Sequence, residues 1–169
     1  MSTTDQASTA PGATTDREIV ISRRIDAPRE LVFEAFTEAR HLAHWWGPEG
    51  FTTTTEAFEF RVGGEWVFAM RGPDGTDYSE WIVWTAIDRP ERITFRHGAF
   101  RDDPDAFESV ITFDQDGDAT VLEMRTVFPT REQRDEAVHT YHAVEAGGQT
   151  LAHLAGYVTD VLSQEVGER

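Results

Sequence analysis

Alternation of apolar and polar residues predicts β-strands along most of the chain. Within residues 17–25, Ile19, Ile21 and Ile25 fall roughly in phase, which is the two-residue period of a strand. Most later boundaries carry a turn signal rich in glycine, proline or aspartate. Such short links favour antiparallel neighbours, because parallel strands need a long crossover. The other predicted strands are 51–60, 65–70, 78–87, 92–97, 107–114 and 120–128.

The longer apolar period of helices follows the first strand and returns at the end of the chain. Pro28 suits the first turn of one helix, and a second short helix is predicted over 39–45. Thr130 and Gln133 form a capping box that begins a long helix reaching to about residue 162, with a kink expected at Gly147-Gly148. One stripe of this helix is apolar and needs an apolar sheet to cover it. We therefore expect an α+β domain, a curved antiparallel sheet around the long C-terminal helix.

The chain length of 169 residues fits one domain. Residues 1–16 are rich in Ser, Thr, Ala and Gly and are predicted to be a disordered tail, followed by a single domain over 17–164 and a short tail over 165–169. The N-terminus lacks a basic region followed by an apolar run, and no stretch of about 18 apolar residues occurs. A cytoplasmic location is the expectation.

The charge composition excludes several partners. With 31 acidic and 15 basic residues, the formal net charge is −16, which repels nucleic acid and anionic membranes. All basic residues are arginines, and two explanations stay open: adaptation to a salt-rich cytoplasm, or a GC-rich genome. The absence of cysteine removes disulfides, thiolate nucleophiles and thiolate metal sites. No cofactor is predicted.

Strand alternation also predicts which side chains face the long helix. Glu65 marks the solvent side of its strand, and Glu80 marks the solvent side of strand 78–87 in the same way, although tryptophans occupy both registers there. Ser109 and Thr126 fall on inward rows as well. Such rows can form a filled core or line a ligand cavity. The predicted ligand-binding residues are Trp66, Phe68, Met70, Trp81, Val83, Phe95, His97, Ile111, Phe113, Met124, Tyr141, Gly148 and Leu151.

Histidines and paired tryptophans are the remaining candidates for chemistry. His97 ends an apolar row and is a weak candidate for a general base, with a structural histidine as the alternative. His139, His142 and Glu145 recur every three residues but lie opposite the apolar stripe, so a solvated face rather than a metal site is predicted. One of Trp45 and Trp46 is expected to be buried, the other to line the cavity mouth. No catalytic triad, phosphate-binding loop or pair of inward carboxylates can be assembled.

Four segments together resemble one known family. WWGPEGF (45–51), FRVGGEWVFAMRGPDGTDY (60–78), DRPERITFRH (88–97) and VFPTREQRD (127–135) are similar to the AHSA1-type branch, named for the activator of the Hsp90 ATPase, of the START-like or SRPBCC superfamily. The resemblance covers about residues 17–162 and implies the helix-grip fold with a cavity under the last helix, and no required metal. That branch commonly has Gly-Trp where this chain has Gly147-Gly148, which implies a larger pocket.

The resemblance implies a fold without implying one reaction. The first hypothesis is that the cavity binds a small hydrophobic molecule whose identity the sequence does not give. One alternative is an enzyme of the cyclase or hydrolase kind, with His97 or Arg71 guiding proton transfer. The other is a protein-interaction module like the Hsp90 activator domain, with a chaperone as partner. A homodimer stays open as well.

Overall fold

The computed structural model describes residues 14–167, most of which form one antiparallel sheet and the helices that cover it. A 3-10 turn over Thr15–Arg17 precedes the first strand. The strands are β1 (Glu18–Ile25), β2 (Thr52–Phe58), β3 (Glu65–Arg71), β4 (Asp77–Asp88), β5 (Arg92–Gly98), β6 (Phe107–Asp116) and β7 (Ala119–Val127). The helices are α1 (Arg29–Glu34), α2 (Ala39–Trp45), α3 (Arg131–His139), α4 (Ala143–Tyr157) and α5 (Ser163–Gly167), with a π-helical turn over Val158–Leu162 that joins α4 to α5.

The sheet has seven strands in the order β1-β7-β6-β5-β4-β3-β2, and each neighbouring pair is antiparallel. β1 and β2 are the two edges, so α1 and α2 carry the chain from one edge of the sheet to the other. Short turns link most of the later strands, as the sequence predicts. The predicted α+β helix-grip architecture, a curved sheet around a C-terminal helix, is confirmed.

The core lies on the concave face of the sheet, beneath α1, α2 and α4. Phe36 packs edge-on against Trp45 and Phe113, with ring centroids 4.8 and 5.4 Å apart. The indole of Trp45 donates a hydrogen bond to the carbonyl oxygen of Ala35 at 3.0 Å, which satisfies the polar atom of a buried ring. The first short helix, α1, lies against β6 and β7, the second, α2, lies against β2, and α4 lies against β1.

The C-terminal helix is interrupted earlier than the sequence suggests. α3 ends at His139, and His142 adopts a left-handed conformation with φ of 54° before α4 begins. A non-glycine residue in this region ends regular helical hydrogen bonding. Gly147 and Gly148, where the sequence predicts a kink, both lie inside α4, so the helix does not end there. The helical phase therefore does not run unbroken from α3 into α4.

The face assignment of β4 also differs from the prediction. Ile82 and Trp84 belong to the core cluster beneath the helices, and Glu80 shares their register. Trp81 and Val83 therefore point to the opposite face of the sheet. The register shift between β4 and β5 lies between Trp84 and Ala86, and residues 80–84 precede it. Side chains therefore alternate regularly over 80–84, but each faces the side opposite to the one predicted.

The predicted N-terminal tail over residues 1–16 lies largely outside the described residues, which begin at Thr14. The guanidinium group of Arg17 donates a hydrogen bond to the carbonyl oxygen of Phe128 at 2.7 Å, which ties the start of β1 to the end of β7. The last residues of the predicted C-terminal tail, 168–169, are outside the described range as well. None of the helices in residues 14–167 is both long and apolar enough to cross a membrane.

Candidate functional site

A cavity of about 260 Å³ lies between the concave face of the sheet and α4. Ile111 of β6 and Met124 of β7 form part of its floor, and Ile19 and Ile21 of the edge strand β1 form one side. Leu151 closes it from α4. Since α4 crosses above β1, the cavity sits where the sheet edge and the helix meet. A concave, apolar space of this kind is what small-molecule sites have in common.

The loop that follows α2 supplies the opposite wall. Trp46 packs edge-on against Trp66, with ring centroids 5.0 Å apart, and its carbonyl oxygen accepts a 2.9 Å hydrogen bond from the Thr53 hydroxyl group. Gly47 has φ of 113°, and its carbonyl oxygen lies 2.9 Å from Nδ1 of His153 on α4. Because Met70 Cε would crowd any Cβ at position 47, both conformation and space favour glycine there. The loop is therefore joined by hydrogen bonds to β2 and to α4 at the cavity wall.

Six of the predicted ligand-binding residues line this cavity. They come from strands β3, β5, β6 and β7 and from α4, which is the arrangement that strand alternation predicts. Whether they contact a ligand stays a prediction. These residues are Met70, Phe95, His97, Ile111, Met124 and Leu151.

Three others lie on the predicted face but belong to the packed core. Trp66 and Phe68 stack on each other with ring centroids 3.7 Å apart, and Phe113 packs against Phe33 at 5.2 Å. All three predicted side chains are buried in the hydrophobic cluster and are absent from the cavity wall. Alternation identifies the face of a strand and does not tell which part of that face is covered by other side chains.

The prediction that Trp81 and Val83 face the cavity is wrong, because both lie on the outer face of the sheet. The indole of Trp81 donates a 2.9 Å hydrogen bond to the carboxylate of Glu65, which also receives hydrogen bonds from Arg101. The hydrogen bonds from Arg101 and then from Trp81 lower the pKa of Glu65. Trp81 is thus buried on the outer face by a polar cluster, so burial here does not mean that the side chain faces the cavity.

The prediction that Gly148 and Tyr141 face the cavity is wrong as well. A Cβ added to Gly148 would meet nothing within 4 Å, whereas one added to Gly147 would overlap Cδ1 of Ile21. Gly147 therefore faces the cavity, and Gly148 faces away from it. Tyr141 lies in the break between α3 and α4 and is 69% exposed. Both errors follow from extending one helical phase across that break.

Several cavity residues are not among the predicted site residues. Phe107 is the first residue of β6, and Phe128 directly follows β7. The ends of strands are the parts that a sequence pattern predicts least accurately. Thr150 on α4 faces the cavity although it is polar. The sequence places Ile19 and Ile21 on one face of a strand, but their closeness to α4 is a tertiary contact between the first and last parts of the chain.

His97 carries the most distinctive polar contact of the cavity wall. Its Nε2 lies 2.6 Å from Oε1 of Glu80, the β4 residue beside it on the same face. Both side chains are largely buried, with 13% and 22% of their surfaces exposed. His97 lines the cavity and Glu80 does not, so the carboxylate stands behind the imidazole. Strand alternation predicts Glu80 on the solvent side, so the sequence does not predict this partner of His97.

The other polar side chains of the wall are hydroxyl groups with partners close by. The hydroxyl oxygens of Ser109 and Thr126 are 3.3 Å apart across neighbouring strands. Thr150 donates a 2.9 Å hydrogen bond to the carbonyl oxygen of Ala146 within α4. Such internal bonds let polar residues sit in an apolar wall at low cost.

The histidine and glutamate residues that recur at three-residue spacing do not share one helix. His139 is the last residue of α3, His142 is the left-handed residue before α4, and Glu145 lies in the first turn of α4. Within residues 14–167, no group of three or more metal-ligating side chains is arranged to hold an ion.

A second buried histidine lies outside the cavity, between α2 and the end of α4. Nδ1 of His41 is 2.7 Å from the Tyr157 hydroxyl group, and Nε2 has no hydrogen-bond partner in the described part of the chain. Nε2 lies 3.6 Å from the carboxylate of Glu38 and 3.9 Å from that of Glu34. Burial lowers the pKa of His41 and raises the pKa of Tyr157. The cluster ties α2 to the turn where α4 becomes π-helical.

The sequence over residues 26–159 matches the family described as Activator of Hsp90 ATPase homolog 1-like protein. A structure from Arthrobacter aurescens superposes with a TM-score of 0.79 at 24% identity, covering 87% of this chain and 88% of that one. A Mycobacterium smegmatis protein gives 0.78 at 22% identity, covering 87% and 94%. A Silicibacter pomeroyi protein that carries the family's name gives 0.66 at 21% identity, covering 84% and 97%. At these identities the structures establish the fold alone. None of the curated proteins compared matches the chain.

Proposed function

Because this chain belongs to the family of Activator of Hsp90 ATPase homolog 1-like proteins, we propose that it binds a small hydrophobic molecule in the cavity beneath α4. The observation that carries the proposal is the cavity itself, lined from the sheet, the α2 loop and α4 mainly by apolar side chains. Family membership is compatible with ligand binding and with protein interaction, so the cavity is what favours ligand binding.

The size and lining of the cavity suit a compact apolar ligand. Protein interiors are close-packed, and voids much larger than a water molecule are few in a domain. An apolar cavity of about 150 Å³ accepts benzene, and this one measures about 260 Å³. A molecule of one or two rings would restore the contacts that the wall side chains lack. Its transfer from water to this wall would supply the driving force.

A neutral fluorescent probe tests the proposal. N-phenyl-1-naphthylamine should gain fluorescence on binding to the wild-type protein, because it leaves water for the apolar wall. Met124→Trp fills the space beside Gly147 and Ile111 and should weaken probe binding at least tenfold. Val20→Trp adds the same side chain at a 47% exposed position and is the matched control, with probe affinity unchanged.

The two variants separate cavity binding from surface adsorption. If the probe binds equally well to both folded variants, or does not bind to the wild type, the proposal fails and the protein-interaction alternative gains weight. Melting curves recorded beside the titrations establish that Met124→Trp is folded. Overpacking of this kind costs about 1–3 kcal/mol, which a domain of this size tolerates.

A further inference from the structure

We infer that His97, supported by Glu80, is the polar anchor of the cavity and that it selects a neutral, ring-containing ligand carrying a hydroxyl group. The inference rests on the proposed function, since it concerns the ligand of the same cavity. The inference goes beyond the proposed function by naming the polar group of the ligand and the two residues that recognise this group.

The imidazole of His97 is paired with a carboxylate. Its Nε2 is 2.6 Å from Oε1 of Glu80, a distance typical of a strong hydrogen bond. A carboxylate accepts hydrogen bonds and does not donate them, so Nε2 carries the proton and donates it to this bond. The second ring nitrogen, Nδ1, is then an acceptor in the neutral imidazole. Glu80 thereby fixes the tautomer of His97.

The second ring nitrogen of His97 is free to accept a hydrogen bond from a ligand. No residue in the described part of the chain forms a hydrogen bond with Nδ1, and this atom keeps some accessible surface. A hydrogen-bond donor on a ligand in the cavity can therefore pair with it. A hydroxyl group supplies such a donor. Ser109, Thr126 and Thr150, the other polar side chains of the wall, already have partners close by.

The charges around His97 disfavour an anionic ligand. Glu80 places a negative charge directly behind the imidazole, and the whole chain carries a formal charge of −16. A carboxylate ligand would meet like charge in a space with little water to screen it. A neutral hydroxyl group avoids this repulsion, and the donor bond to Nδ1 is strengthened by the carboxylate behind the ring.

Aromatic side chains surround the His97 ring and would contact the rest of the ligand. The centroid of the His97 ring lies 4.8 Å from that of Phe107, 6.2 Å from that of Trp46 and 6.4 Å from that of Phe95. All three line the cavity. Flat aromatic walls pack best against a planar ring, in offset or edge-on geometry. A phenol-like or naphthol-like molecule satisfies both the rings and the acceptor.

Equilibrium dialysis with three matched probes at pH 7 tests the inference. Naphthalene, 2-naphthol and 2-naphthoate share one ring system and differ in carrying no polar group, a neutral donor or an anion. The wild-type protein should bind 2-naphthol about tenfold tighter than naphthalene, because one assisted hydrogen bond forms, and should bind 2-naphthoate more weakly than 2-naphthol. His97→Phe keeps an aromatic ring at this position and should remove the preference for 2-naphthol, with naphthalene still bound.

Two further variants sharpen the result. Glu80→Gln removes the charge behind the ring and should reduce the preference for 2-naphthol several-fold. Ser22→Ala removes a hydroxyl group at an exposed position of β1 outside the cavity wall and should leave the preference intact. If naphthalene and 2-naphthol bind equally, or if 2-naphthoate binds best, the role of His97 as the polar anchor is refuted. The proposed binding of a hydrophobic ligand in the cavity is then still supported. If none of the three probes binds, the proposed function and the inference fall together.

Discussion

Among single residues, the two adjacent glycines of α4 have opposite surroundings. Gly147 faces Ile21 of the edge strand so closely that a Cβ would overlap the Ile21 side chain. Gly148 is open, with nothing within 4 Å of the position of a Cβ. Gly147 therefore lets α4 approach the sheet, while Gly148 has no packing role. This pair shows how one step along a helix changes what a residue does.

Alanine substitutions should separate the two glycines. Gly148→Ala should raise the free energy of unfolding by about 0.5–1 kcal/mol, because alanine favours the helix and no contact is disturbed. Gly147→Ala should not give this gain, because the end of the Ile21 side chain must shift to make room for the Cβ. Urea denaturation measures both. Equal effects of the two substitutions would contradict the orientation of α4.

Burial of His41 makes the stability depend on pH. Desolvation is the main cause that lowers its pKa, with Arg40 acting in the same direction and the carboxylates of Glu38, Glu34 and Glu165 opposing it. A histidine in the unfolded chain titrates near pH 6.5. Below about pH 6.5 this histidine takes up a proton in the unfolded chain but not yet in the folded protein. The free energy of unfolding therefore falls as the pH decreases from about 6.5 toward the pKa of His41 in the folded protein.

Comparison of two histidine variants tests this dependence. The free energy of unfolding of the wild type should decrease between about pH 7 and 5 more steeply than that of His41→Gln. His44→Gln is the control, since His44 lies on the same helix but is exposed and stacks on the ring of Tyr157. Denaturant midpoints at several pH values give the slopes. A slope unchanged in His41→Gln would assign the pH dependence to other groups.

Among the elements, α3 and α4 are held in different ways. α4 buries Leu151, Leu154 and Tyr157, whereas α3 buries no residue. α3 is held instead by its N-terminal cap, in which the Thr130 hydroxyl group accepts a 3.1 Å hydrogen bond from the Gln133 amide, and by a hydrogen bond from Arg134 to the carbonyl oxygen of Glu18. An element without buried side chains opens before the rest of the fold. We therefore expect α3 to be less stable than α4.

Removal of the cap should affect α3 and little else. Thr130→Ala costs about 1 kcal/mol of helix stability, so amide hydrogens of residues 134–139 should exchange about fivefold faster while the melting temperature changes little. Thr52→Ala, at an exposed position on the edge strand β2, is the control and should leave α3 exchange unchanged. A cooperative loss of the whole fold in Thr130→Ala would show that α3 is part of the core unit.

The strand β4 shows why a charged residue is an uncertain marker of the solvent face. Alternation predicts an outward Glu80, but Glu80 faces the concave side because His97 of β5 gives its carboxylate a partner. Alternation also predicts an inward Trp81, but Glu65 and Arg101 cover this ring on the outer face. Paired charges can be buried and large rings can be covered on either side. The partners come from other segments, so β4 alone cannot reveal them.

Across the whole molecule, the charge of −16 opposes compactness. Arginines offset part of it locally, as in the exposed pairs Arg71–Asp77 and Arg92–Asp88. Exposed pairs of this kind contribute little, and salt screens their attraction as well as the repulsion. Because acidic groups outnumber basic ones by about two to one, net repulsion outweighs these local attractions.

Added salt should therefore stabilise the fold. Between dilute buffer and 1 M sodium or potassium chloride the Debye length falls from above 10 Å to about 3 Å, and the melting temperature should rise by several degrees. Differential scanning calorimetry at increasing salt measures the change. A melting temperature that stays flat or falls would remove the case for salt adaptation and leave the missing lysines as a matter of genome composition.

Local sequence patterns were sufficient for the order of the strands and for the fold class, although not for the break between α3 and α4. Strand periods, turn residues and the capping box act between neighbours in the chain, so they predict the strands to within a few residues and α2 with its observed bounds. The motif segments identify the family that the match over residues 26–159 confirms. Six residues of the cavity follow from alternation and helical phase.

The rest of the site depends on contacts between distant parts of the chain. The face of β4 depends on partners from β3, β5 and the loop that carries Arg101, and the phase of α4 depends on a left-handed residue that separates it from α3. The wall formed by Ile19 and Ile21 exists because the first strand meets the last long helix, more than a hundred positions later. Local periodicity carries no information about such contacts, because it reports which face a residue occupies and not what covers that face.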